Sequence, residues 1–127
     1  MSPTFLTLDE VLEIHHDQLA RYGGAAGVRD LGLLQSALAQ PQATFSGRFL
    51  HADLFEMAAA YLFHLVQNHA FLDGNKRAGT VAAIVFLRMN EQELKVTNDE
   101  LESLVLSVAQ SQVDKAAITT FFRNHAV

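Results

Sequence analysis

Apolar residues at Leu8, Val11, Leu12, Leu19 and Tyr22, with His15 on the same stripe, recur at the helical period, and Thr7 with Glu10 forms a capping box where the run begins. Gly23 and Gly24 stop this helix, and with Gly27 they make residues 23–29 a loop. Asp30 caps a second, short helix through Leu31, Leu34 and Leu38, which Pro41 closes. The next stretch, PQATFSGRFLHA, follows neither the helical nor the strand period yet carries Phe45, Phe49 and Leu50. It is either an ordered flap or a connecting loop that tucks its aromatics into the core.

Asp53 caps the segment DLFEMAAAYLFHLVQNH, which is apolar on nearly every face, as a helix at the centre of a bundle must be. Another strongly apolar helix, TVAAIVFLRMN, begins close behind it. Thr97 with Glu100 repeats the capping box ahead of Leu101, Leu104, Val105 and Val108, and Asp114 caps a last helix through Ala117, Ile118, Phe121 and Phe122. Short connections favour neighbouring, mostly antiparallel helices. The pattern predicts an all-α fold, an irregular bundle of about six helices, as one domain over residues 1–127.

Composition narrows the function. Nine Lys and Arg stand against fourteen Asp and Glu, a formal charge of -5, so there is no basic field to hold nucleic acid by counterion release. No apolar run reaches the length of a membrane helix, and Asp9 and Glu10 lie where a signal peptide would be hydrophobic. A cytoplasmic location is expected. The absence of cysteine fits a reducing compartment and excludes disulfides, thiol catalysis and cysteine-ligated zinc. His15, His16, His51, His64 and His125 lack metal-site spacing and are assigned no chemistry; His64 reads as a hydrogen-bonded core residue.

The junction of the two most apolar helices carries His69-Ala70-Phe71-Leu72-Asp73-Gly74-Asn75-Lys76-Arg77. Asn75 reads as an N-cap, and Gly74 before it lets the chain turn tightly, so the amides from Gly74 to Arg77 should form an anion cradle. Lys76 and Arg77 add positive charge. A bare carboxylate at Asp73 would repel a phosphate, and a magnesium ion held by Asp73 together with nucleotide phosphates removes the conflict. His69 is then left for proton transfer, as general base for a protein hydroxyl; histidine ordinarily titrates at about 6.5, so a neutral fraction exists near pH 7. Taken singly, each residue has a commoner structural role: a cap, a turn, a surface charge, and for Phe71 a hydrophobic pin. Their conjunction at this spacing favours a phosphate site.

The segment resembles the motif of the Fic/Doc family, H-x-F-x-(D/E)-G-N-(G/K)-R, at every specified position, and RYGGAAGVRD, ALAQPQATFSG and DLFEMAAAYLFHLVQNH are similar to its Doc branch. The resemblance implies the family's helical fold, a general base at His69, a magnesium ligand at Asp73, and phosphate contacts from Gly74, Asn75, Lys76 and Arg77. Adenylyl-transferring members have glycine in place of Lys76 and a second arginine in place of Thr80. Lysine marks the Doc-type toxins, which implies an ATP- and Mg2+-dependent kinase that transfers the terminal phosphate to elongation factor Tu and arrests translation. A separate antitoxin is the implied partner. Protein adenylyl transfer at the same site, and a catalytically idle binding module, remain the alternatives. Ala70 replaces a frequent proline, and Ala78-Gly79 stands where relatives often have threonine and alanine, a change expected to loosen the first turn of the helix.

Overall fold

The computed structural model describes residues 2–127. Six helices appear, five of them starting where the caps predict and the fourth one residue sooner: α1 (Leu8–Tyr22), α2 (Leu31–Ala39), α3 (Leu54–Gln67), α4 (Asn75–Met89), α5 (Asn98–Ala109) and α6 (Lys115–His125). Thr7 and Thr97 each accept the backbone N–H three residues on and receive the reciprocal glutamate bond, so both capping boxes form. Asp30, Asp53 and Asp114 accept from the N–H groups of Leu33, Glu56 and Ala117. Each such cap contributes about 1 kcal/mol to defining where its helix starts.

The all-round apolar sequence of α3 puts it at the centre. Residues Met57 to Leu62, with Leu65 and Val66, are buried, and α2, α4, α5 and α6 pack against it while α1 packs on α4. Tyr61, inside this core, uses its phenol oxygen to accept the Leu6 N–H at 2.9 Å, and burial pushes the phenol up to about 12. Gly79 does not loosen α4. It is buried, and a Cβ there would lie 3.1 Å from Val66 Cγ2 and 3.3 Å from the Leu62 carbonyl oxygen, so its lack of a side chain lets α4 approach the α3 backbone.

The stretch after α2 combines both expectations for it. A 3-10 turn over Gln40–Gln42 extends α2, with Pro41 at its start, where a missing N–H does no harm. A hairpin follows, β1 (Thr44–Phe45) and β2 (Arg48–Phe49), antiparallel with Thr44 opposite Phe49. Its central residues Ser46 and Gly47 have φ of 52° and 77°, the left-handed pair that a tight hairpin turn needs. Phe49 packs inward, 5.7 Å from the Phe5 ring, whereas Phe45 and Leu50 are 74% and 60% exposed.

Between α3 and α6, Lys115 Nζ donates to His64 Nε2 at 3.1 Å. A ring nitrogen can accept only while unprotonated. Burial, with Lys115 and His51 nearby, pushes His64 down to about 4, and His51 is lowered by burial and Lys115 as well. The folded protein therefore keeps His64 neutral where an unfolded chain, with histidine at about 6.5, would protonate it. This contribution to stability is complete above pH 6.5 and is lost as the pH falls toward 4. The melting temperature should drop between pH 7 and 4.5, and His64→Gln should flatten that drop; parallel curves for the two proteins would contradict the assignment.

Candidate functional site

Residues 68–74 link α3 to α4. Past the C-cap Asn68, His69 adopts φ 49°, the left-handed position that glycine usually fills at a helix C-terminus. Arg29, forty residues earlier, holds the chain there: its Nε donates to the His69 carbonyl at 2.7 Å and a terminal nitrogen to the Asn68 carbonyl at 3.2 Å. A cation thus faces the negative end of α3. The amides of Arg29 and Asp30 both reach the Ala70 carbonyl, Leu72 N–H reaches the Gly27 carbonyl, and Val28 and Phe71 form an isolated antiparallel bridge. The glycine-rich α1–α2 loop is therefore one wall of the site, and the His69 imidazole is exposed beside it.

Asn75 is not the cap of α4. Gly74 holds that place, with φ 79° and no side-chain cap bond, and Asn75 is the first helical residue. The Asn75 amide turns back instead. Its Oδ1 accepts the Phe71 N–H and its Nδ2 donates to the Phe71 carbonyl, both at 3.0 Å, closing the loop on itself. The first backbone bond into the new helix runs from Ala78 N–H to the Gly74 carbonyl, which leaves the amides of Asn75, Lys76 and Arg77 open at the positive end of the dipole. The Gly74 N–H is already used by Asp73 Oδ1 at 2.8 Å. The open amides therefore begin one residue later than the sequence suggests.

One oxygen of the Asp73 carboxylate is bound by the Gly74 N–H. Its other oxygen has only a long contact, 3.4 Å to the Ala25 N–H, and none of the three ion pairs among the described residues includes it. No cluster of three or more metal-ligating side chains occurs among the described residues. One free carboxylate suits an ion that draws its remaining oxygens from phosphates and water. Gly24 makes room for this arrangement: at φ 125°, a Cβ on it would sit 2.7 Å from Asp73 Oδ2 and 3.1 Å from an Arg77 nitrogen.

Arg77 is half-buried, donating to the Gln18 carbonyl at 3.3 Å and lying 6.0 Å over the Tyr22 ring, while Lys76 is exposed. From this first turn a groove of about 790 Å³ runs on between α1, α4 and α5, lined by Tyr22, Lys76, Arg77, Val81, Leu101 and Val105 among others. Phe71 is buried, as expected of a pin, and stacks on the buried ring of His15 with centroids 3.7 Å apart and planes 7° from parallel. Sequence reasoning assigned no chemistry to His15 and overlooked Arg29, Gly24 and Gln18. The available signals were a histidine on the apolar stripe of α1 and the dense RYGGAAGVRD stretch.

A profile of the Fic/DOC family matches residues 5–87. Toxin Doc of Mycolicibacterium smegmatis is 42% identical over 99 residues, covering 76% of each chain. Protein kinase doc of Escherichia phage P1 is 30% identical over 115 residues, covering 91% of this chain and 90% of that one.

The left-handed backbone at His69 is a local strain that a functional side chain can explain. Replacing His69 with glycine removes about 1–2 kcal/mol of steric penalty and returns part of it through the greater freedom of the unfolded chain. His69→Gly should therefore be more stable than the native protein by about 0.5–1 kcal/mol in urea unfolding; a lower midpoint at equal slope would show that the residue is not strained.

Proposed function

The chain belongs to the Fic/DOC family, and on that premise we propose that it is the toxin of a toxin–antitoxin pair, a kinase that moves the terminal phosphate of ATP to a hydroxyl of elongation factor Tu or a similar translation factor. One observation carries the reading: an exposed imidazole, a carboxylate free of ion pairs and an open helix N-terminus flanked by two cations all lie between residues 69 and 77. Residues 1–127 act as one domain in this reading, in the cytoplasm.

His69 takes the proton of the target hydroxyl as that oxygen attacks the terminal phosphorus. The bond from the phosphorus to the bridging oxygen breaks, and ADP leaves. Asp73 would hold Mg2+, which supplies neutralising charge across the phosphates when bound. The open amides of Asn75, Lys76 and Arg77, with the two side-chain cations, bear the negative charge that spreads over the transferring group. Gly74 contributes through its left-handed turn, which aims those amides, and Asn75 also acts through its bracket on Phe71. The groove beside Lys76 and Arg77 has room for the nucleoside, with Val81, Leu101 and Val105 as an apolar wall. Lysine at position 76 and threonine at 80 favour terminal phosphoryl transfer over adenylyl transfer. The exposed Phe45 and Leu50 of the hairpin are suited to aligning the target, and a separate antitoxin restrains the enzyme.

The test is label transfer from ATP into purified elongation factor Tu, with the tracer on either the terminal or the innermost phosphate. Terminal label that disappears in His69→Ala, and falls at least a hundredfold, is expected of a lost general base. Innermost label would make the chain an adenylyltransferase, and no label from either position, in this protein or in bacterial lysate, would overturn the assignment.

A further inference from the structure

We infer that His15 is a positioning residue, which sets the pose of Asp73 and keeps the first turn of α4 open to an anion by taking the Asp73 carbonyl for itself. The inference rests on the proposed function for the identity of the ligand, but its geometry is independent of it. Had α4 begun one residue earlier, the Asp73 carbonyl would accept the Arg77 N–H in the ordinary i to i−4 bond. It accepts His15 Nε2 instead, at 2.7 Å, and the first intrahelical bond is the next one, from Ala78 to Gly74. The Arg77 amide is left without a protein acceptor, at the end of a helix where such amides hold anions.

The same bond fixes the carboxylate. The peptide between Asp73 and Gly74 is gripped at both ends, its carbonyl by His15 and its N–H by Asp73 Oδ1. Rotating that peptide plane would break both bonds together and release the carboxylate oxygen that the Gly74 N–H holds. His15 is well placed to resist this. Its ring is only 5% exposed, so water does not compete for the bond, and it is clamped flat against Phe71, whose own N–H and carbonyl are bracketed by Asn75. Gly74 rides on the ring edge, where an added Cβ would stand 3.5 Å from His15 Cδ2. None of this requires His15 to touch substrate.

Two substitutions separate the bond from the packing. His15→Phe keeps a flat ring against Phe71 and removes the donor; His15→Gln restores an N–H donor and removes the ring. Calorimetry would follow ATP binding across a magnesium series, and NMR would follow exchange of the Arg77 amide with water. His15→Phe should need about tenfold more magnesium for half-maximal binding, the usual scale for losing a group that orients a metal ligand, and its Arg77 amide should become protected as the Asp73 carbonyl returns to the helix. His15→Gln should stay within about threefold of the native magnesium response. Should His15→Phe not fold, His15→Met, which also lacks the donor, is held to the same two results. A donorless variant with native magnesium response and a freely exchanging Arg77 amide overturns the inference, as does a glutamine variant as impaired as phenylalanine. If the native protein binds no magnesium-ATP at all, the proposed function falls while the amide exchange still decides whether His15 holds the helix open.

Discussion

Gly79 brings α4 against α3 so closely that an added methyl group would press on Val66 and on the α3 backbone. Two helices held at this distance leave their connection, residues 68–74, little freedom in how it reverses direction. The chain takes the turn with left-handed residues at both ends, His69 and Gly74. Glycine occupies one of these without penalty, whereas the other carries a histidine whose imidazole is thereby presented to solvent. The helix contact thus dictates the loop, and the loop dictates where the functional groups point.

Such a loop would not hold one shape unaided, because it contributes few backbone bonds of its own. Three side chains from different parts of the chain supply the rest. Arg29 fixes the carbonyls at the end of α3, Asn75 brackets Phe71, and His15 holds the Asp73 carbonyl. The α1–α2 loop adds backbone bonds to Ala70 and Leu72. Every donor and acceptor used in this way is one fewer that must find water, and what remains, the His69 imidazole, three amides and an Asp73 oxygen held only by a long contact to Ala25, is the set from which the proposed phosphoryl transfer would draw.

The helices and their starts were legible because a cap is a local signal: an oxygen and an amide three residues apart, read from Thr7 and Glu10 or from Asp114 and Ala117 without knowledge of the fold. The candidate site between His69 and Arg77 could be proposed for a similar reason, since its polar groups are contiguous in sequence. What stayed hidden depends on contacts across the bundle. His15 meets Asp73 fifty-eight positions away, and Arg29 meets His69 forty positions away. On a periodic stripe His15 is indistinguishable from a core histidine, and in a polar loop Arg29 has the character of an ordinary surface charge. Asn75 was misread as a cap because an asparagine ahead of an apolar run usually is one, and only the left-handed Gly74 shows that the helix starts a residue sooner. Gly79 was misread too, since helix propensity penalises glycine wherever close packing is unseen.

If the start of α4, together with Asp73, receives the phosphates of a magnesium nucleotide, the most direct test is to follow backbone amide signals in His69→Ala, chosen to block the proposed turnover, as magnesium-ATP is added. The amides of Asn75, Lys76 and Arg77 should move first and furthest, and they should stay still when magnesium is withheld or Asp73 is replaced by alanine. Saturable shifts elsewhere on the surface, with these three amides unmoved, would contradict that placement of the nucleotide.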